Sequence, residues 1–270
     1  VKLHRFTRTA LGVFVACVIF FLIAPLGVIV LFAFDKSNVQ TFPIHHWTTS
    51  WFSVAWNDPA VRSALWLSIK AGVLATAIAL LLGTMVAFGI HRYRFFGRDT
   101  VSLLLVLSIA LPGIVTGLAL QSAFNLVGIP FSIYTIVIGH ATFCIVVVFN
   151  NVIARLRRTS TSLMEASADL GASPFQTFRL VTLPTISTAV VAGALLAFAL
   201  SFDEVIVTTF TAGAQNTLPL WIFGSIRLGQ QLPEVNAVVV GVLLLTIIPI
   251  AVAARMSSGE GTGRSARAAI

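Results

Sequence analysis

Two stretches of this chain stand out for the chemistry their residues could do. "SFDEVIVTTF", at 201–210, sets Asp203 and Glu204 side by side in an apolar run, next to Phe202. They follow Pro184 by 19 and 20 residues. At about 1.5 Å per helical residue, that spacing puts them near one end of a membrane-length helix. A carboxylate at the centre of a bilayer costs about 2.5–3.5 kcal/mol on insertion scales, and less near an interface, so such groups face a cavity or a partner. The pair could attract a cation passing through the membrane. It could equally form an internal ion pair with Arg227 or Lys70, or simply lie exposed at the surface. The second stretch, "EASADLGASPFQTFRLVTLP" from Glu165 to Pro184, is a polar island between two apolar segments.

Enzyme chemistry has little to work with. There is no G-x-x-x-x-G-K-[ST] and no Gly-Lys dipeptide, so the chain lacks the phosphate cradle needed to hydrolyse ATP by itself. H-E-x-x-H and G-x-S-x-G are absent too. Cys17 and Cys144 lie in apolar runs without C-x-x-C spacing and read as small core residues. His45-His46 reads as polar loop, with a metal pair as the alternative.

The elements that carry these residues are set by lipid. Hydrophobic residues make up 57% of the 270 and charged residues only 10%, well below the ~25% charged usual for soluble domains. Crossing ~30 Å of hydrocarbon takes about 20 helical residues. Six segments qualify, near 10–34, 66–90, 101–124, 131–153, 185–210 and 236–254. Helix is required, because lipid offers no partner to a free backbone N–H or C=O. The first run is too long for a signal-peptide core and is expected to be an uncleaved anchor. The net charge of +8 could suggest nucleic acid, but the basic residues cluster at the ends of apolar runs. Thirteen of seventeen Lys and Arg fall on one side: Lys2, Arg5, Arg8; Arg92, Arg94, Arg98; Arg155, Arg157, Arg158, Arg179; Arg255, Arg264, Arg267. The positive-inside rule makes that side cytoplasmic, with both termini there. The expected fold is therefore an all-α, six-span membrane domain over 1–256, with a disordered cytoplasmic tail at 257–270.

The opposite loop, about 35–65, holds Trp47, Trp51 and Trp56, which suit a short interfacial helix with aromatic anchors. Asp58-Pro59 should cap the next span. Gly113/Gly117, Gly72/Thr76 and Gly83/Ala87 have the spacing that lets membrane helices approach closely. Pro112 and Pro249 suggest kinks.

Within the 154–184 loop, Ser162 and Glu165 form S-x-x-E, a capping box, and Gly171 suits the left-handed residue after a helix. Ser173, Pro174 and Gln176 start a second helix. Two short capped helices at a glycine corner are marginal alone and need something to pack on. That something is either their own bundle or another protein.

Glu165-Ala166-Ser167, then Gly171, Val181 and Leu183-Pro184 resemble the signature of permease subunits of ATP-binding-cassette (ABC) importers: E-A-A, three residues, Gly, nine residues, I-x-L-P. Ser167 and Val181 are conservative departures. The runs 216–221 and 233–237 make nearly the whole chain similar to the second permeases of spermidine/putrescine-type importers. Permeases for 2-aminoethylphosphonate and opines are the alternative. The resemblance implies a type I importer permease in the bacterial cytoplasmic (inner) membrane. Its loop, with Glu165, Ala166, Ser167, Asp169, Gly171, Ala172, Pro174 and Phe175, would dock on a separate ATPase subunit that binds ATP and Mg. It further implies two ATPase subunits, a second homologous permease (a homodimer being the alternative) and an external substrate-binding protein. Asp203, Glu204 and Phe202 become candidate pathway residues. An ion-coupled secondary transporter is the rival reading; it would need ionisable groups at the midplane and internal repeats, neither of which is evident.

Overall fold

The computed structural model describes residues 5–160, 162–229 and 231–246, and every extended element among them is helical. In chain order these are α1 Arg5–Ala33, α2 Ser50–Asn57, α3 Pro59–Arg92, α4 Arg98–Ala110, α5 Gly113–Val127, α6 Ile133–Arg157, α7 Ser162–Asp169 and α8 Pro174–Thr177. A π-helical turn, Phe178–Thr182, then leads to α9 Leu183–Asp203, α10 Ile206–Thr211 and α11 Leu218–Leu228. Leu232–Thr246 forms α12. Thr7–Ala33, Pro59–Arg92, Ile133–Arg157 and Pro174–Asp203 are long and apolar enough to cross a membrane, and the sharply bent pair α4–α5 makes a fifth if counted as one span. The expected sixth segment, 236–254, lies partly outside the described residues; Pro249 and the tail at 257–270 lie wholly outside them.

Two expected spans are broken by local chemistry. In 101–124, Pro112 has no N–H to donate and forces Leu111 to extended angles (φ −71°, ψ 137°), so α4 stops at Ala110 and α5 starts afresh at Gly113. The outcome is a full break, not a kink. In 185–210, α9 ends at Asp203 and a separate short α10 follows.

The chain divides into two compact units: the described parts of Val1–Arg62 with Ile222–Ile250, and those of Ser63–Trp221 with Ala251–Ile270. In the first, α1 exposes apolar side chains all round, Phe14, Phe20 and Phe21 among them, the pattern of a helix whose solvent is lipid. Cys17 is exposed with them, contrary to the core reading, because α1 buries almost nothing within its unit. The loop after α1 is knitted by Trp51, whose Nε1 donates to the Asp35 carbonyl at 2.8 Å, and by Lys36 N–H to the His46 carbonyl at 3.0 Å. Trp47 and Trp56 stay exposed, as interfacial anchors do. Asp58 Oδ1 accepts from the Ala60 N–H at 2.7 Å, and Pro59 opens α3, as expected. Glu234, in the first turn of α12, is buried, with its Oε1 left without a hydrogen-bond partner among the described residues; burial, then the Asp58 charge, raises its pKa above the ordinary 4.5.

In the second unit α6 is the axle. Its Cys144, Val148, Phe149, Val152 and Leu156 are buried together with Ala79 and Ala87 of α3 and Ile186 and Ala197 of α9. A Cβ at Gly83 would stand 2.7 Å from the Ile145 carbonyl oxygen, so only glycine lets α3 lie this close to the α6 backbone. The G-x-x-x-G of α5 is used within the chain: Gly113 and Gly117 seat Ile206 and Phe210 of α10.

Candidate functional site

The polar island folds as a knob built from local hydrogen bonds. At the end of α7 the Gly171 N–H reaches the Ala168 carbonyl at 2.9 Å and the Ala172 N–H reaches the Ser167 carbonyl at 3.1 Å. With Gly171 at φ +78°, this is a Schellman corner. Across the corner Ser173 Oγ accepts from the Gln176 N–H at 3.3 Å, while Gln176 Oε1 accepts from the Ser173 N–H at 2.7 Å. Pro174 opens α8, completing the expected box. A hydroxyl pair, Ser167 Oγ to Thr177 Oγ1 at 3.0 Å, ties the two arms together. The other expected box is not formed. Ser162 is already helical, so it is not the cap, and its hydroxyl pairs with Ser160 Oγ at 2.6 Å.

The second arm is not a separate helix. α8, the π turn and α9 run on as one helical segment, Pro174–Asp203. Proline at 184 cannot donate to the carbonyl four residues back, and its ring crowds that carbonyl. The backbone meets this by widening one turn, with the Leu183 N–H reaching five residues back to the Phe178 carbonyl. The root of the knob is fastened at two points. Phe178 packs edge-on against Phe88 of α3 with centroids 5.4 Å apart, and Arg155 Nε donates to the Thr185 carbonyl at 3.0 Å. The outer part is uncovered. Glu165, Ala166, Asp169, Gly171, Pro174 and Phe175 are exposed, and Ser167 and Ala172 are half-buried. Leu170 is 89% exposed and Phe175 68%, so the tip of the knob presents two uncovered apolar side chains.

Asp203 and Glu204 lie at the far end of α9, and they differ in role. Glu204 is half-buried; its Oε1 accepts from the Val207 N–H at 2.9 Å, capping α10. Asp203 is exposed and forms no hydrogen bond or ion pair among the described residues. Phe202 is tilted against Phe198, centroids 5.9 Å apart. Lys70, one of the partners considered from sequence, instead stands over the Trp66 ring at 5.3 Å.

Beneath this elbow lies a residue the sequence did not single out. His140 of α6 is buried, with Nδ1 2.7 Å from Ser201 Oγ and Nε2 2.8 Å from Thr208 Oγ1. Thr208 Oγ1 donates its proton to the Glu204 carbonyl at 2.6 Å. It must therefore accept from Nε2–H; in the neutral ring Nδ1 then accepts from Ser201. One imidazole thus pins both sides of the α9–α10 break to α6. The only signal in the sequence was a lone histidine in an apolar helix.

Residues 79–257 match the model of a family described as the inner membrane component of binding-protein-dependent transport systems. The chain belongs to that family. It is thus a multi-pass protein of the inner membrane and a permease component of an ABC importer. Over 225 residues it is 36% identical to the putrescine transport system permease protein PotI of Escherichia coli (strain K12), covering 80% of this chain and 79% of that one. It is 33% identical over 248 residues to the spermidine/putrescine transport system permease protein PotC of the same strain, covering 90% and 92%. Among solved structures, a chain from a bacterial ABC transporter involved in the import of the acidic polysaccharide alginate shares the fold. Its TM-score is 0.72 at 17% identity, covering 93% of this chain and 96% of that one. A chain of the MetNI methionine ABC transporter follows at 0.62 and 18%, covering 76% and 96%. This fold therefore occurs in chains of transporters of unlike cargo. Among the described residues no three His, Cys, Asp or Glu side chains group as a metal site.

Proposed function

We propose that this chain forms half of the membrane pathway of an ATP-driven importer of polyamines such as putrescine or spermidine. In this reading residues 1–256 act as one six-span permease domain with both termini in the cytoplasm and 257–270 as a tail. The knob sits in a socket on an ATPase subunit, which binds ATP and Mg. Two such ATPases, a second, distinct permease and an external binding protein complete the machine. The observation that carries the reading is the knob's construction. Glu165, Ala166, Ser167, Asp169, Gly171, Ala172, Pro174 and Phe175 form a locally rigid corner with uncovered Leu170 and Phe175, continuous with a membrane-length helix. A body of that kind can carry a push from outside the membrane into it and bias an inward/outward equilibrium.

The polyamine assignment follows the named relatives, and the elbow chemistry agrees with it. Asp203 offers a free carboxylate to an ammonium group, and the Phe198–Phe202 pair offers ring faces that attract cations. Glu204, engaged as a cap, serves mainly to place Asp203. 2-Aminoethylphosphonate or an opine also carries an amine and is the alternative cargo. The test is uptake of labelled putrescine and spermidine into vesicles holding the reconstituted assembly and its binding protein. ATP-dependent accumulation is expected; accumulation driven by an ion gradient without ATP would overturn the reading.

A further inference from the structure

A cavity of about 410 Å³ lies between the ends of α6 and α9 next to the knob. Its wall carries Asn150, Asn151, Arg155, Arg158 and Thr188, with two alanines. Both charged groups on it are guanidiniums, and no carboxylate lines it. Arg155 is half-buried and held by its Nε bond to the Thr185 carbonyl. That bond uses one of five N–H groups, and the four on its terminal nitrogens have no protein acceptor among the described residues. Arg158, one turn on, is exposed and likewise has no side-chain partner there. Asn151 gives one amide proton to the Val147 carbonyl at 2.9 Å and keeps the other. Donors therefore outnumber acceptors on this wall, and two like charges sit together without a counterion among the described residues.

The cavity's depth narrows the choice of ligand. α6 is a membrane-length helix ending at Arg157, so Arg155 and Arg158 lie where hydrocarbon gives way to headgroups. Basic cavities between helices at that level suit the phosphate of an anionic lipid. The planar guanidinium fork matches two phosphate oxygens at once. We propose that this cavity is a binding site for a phosphate-type anion, supplied by the headgroup of an anionic phospholipid in the leaflet beside the knob. The phosphate would bridge Arg155 of α6 and Arg158 just past its end to Thr188 of α9. It would thus stiffen the joint where the knob meets the membrane. The orientation of the leaflet rests on the topology proposed above; binding itself does not depend on sidedness or cargo.

The test follows thermal unfolding of the full purified assembly in detergent while phosphatidylglycerol, phosphatidylcholine or inorganic phosphate is added. Phosphatidylglycerol should stabilise the native assembly where phosphatidylcholine does not. Arg158→Gln should weaken that effect by roughly tenfold, the usual scale for one charge-assisted contact. Arg157→Gln, one residue away but off the cavity wall, should leave it unchanged. Ala154→Phe keeps every charge and fills the cavity, so it should abolish the effect; it serves also if Arg158→Gln fails to assemble. Equal losses in Arg157→Gln and Arg158→Gln would reduce the site to diffuse surface charge and overturn it. So would an unaltered lipid response in Ala154→Phe, or equal stabilisation by the two lipids. Stabilisation by inorganic phosphate matching that by phosphatidylglycerol would overturn the lipid as the source.

Discussion

Replacing Gly171 tests the knob without touching anything else. Gly171 sits at φ +78°, and a Cβ built there meets nothing within 4 Å. Substitution therefore adds no clash in the chain itself, and the penalty is backbone strain alone. For an ordinary L-residue the left-handed region costs about 1–2 kcal/mol. An energy of that size shifts a two-state equilibrium by about five- to thirtyfold. What competes is the pair of corner bonds, Gly171 to Ala168 and Ala172 to Ser167. Asparagine tolerates the left-handed region, alanine less well, and β-branched valine least. If corner geometry transmits ATP-driven motion, uptake should fall in the order Gly, Asn, Ala, Val. Valine should lose at least tenfold, while the membrane domain melts within a few degrees of the original. The assay is ATP-dependent uptake in vesicles, alongside co-purification of the ATPase. Valine transporting as glycine does, or asparagine failing as badly as valine, would refute the geometric argument. The second outcome would mean that any side chain at 171 blocks the socket.

Asp203→Asn should weaken uptake of a cationic amine while leaving assembly intact, measured by initial uptake rate and co-purification; unchanged uptake removes the pathway role. His140→Leu leaves the Ser201 and Thr208 hydroxyls buried without their shared partner, which costs about 1–3 kcal/mol and should lower the melting temperature clearly. Glu204→Gln keeps an acceptor for the Val207 N–H and should be mild, whereas Glu204→Ala loses the α10 cap at about 0.5–2 kcal/mol, seen in the same melting assay. Because the Glu234 pKa is raised, the folded chain holds that proton longer than the unfolded one; the resulting stability is complete below 4.5 and is lost as pH rises through the raised value. Glu234→Gln should thus gain over the natural chain as pH rises, and match it in acid; melting curves across pH with the opposite trend would refute this.

The knob was legible because its determinants are local. Gly171, and the Ser173, Pro174 and Gln176 set, each act within a few residues, and each forms the bond its type suggests. Ser162 misled because the same hydroxyl had a nearer partner in Ser160. The break after Asp203 was hidden, since 201–210 holds no proline or glycine and reads as one apolar run. Glu204 caps α10 from three residues away, but what holds α10 apart from α9 is non-local: α10 sinks onto the α5 glycines. His140 was invisible for the same reason, with partners 61 and 68 residues away. The Leu183-Pro184 step signals a helix boundary to any local rule. Here the neighbouring turns continue the helix through it, at the cost of one widened turn.

That widened turn sets a phase. A regular helix advances about 100° per residue. The π turn at Phe178–Thr182 takes up roughly one residue more than regular winding would use. Everything on the knob side is thereby rotated by about that angle relative to the membrane stretch beyond Pro184. The direction in which Phe175 points is thus decided by a miscount in the winding rather than by the corner alone. Deleting one residue there would leave both ends correctly built and aim them at different quarters of the compass.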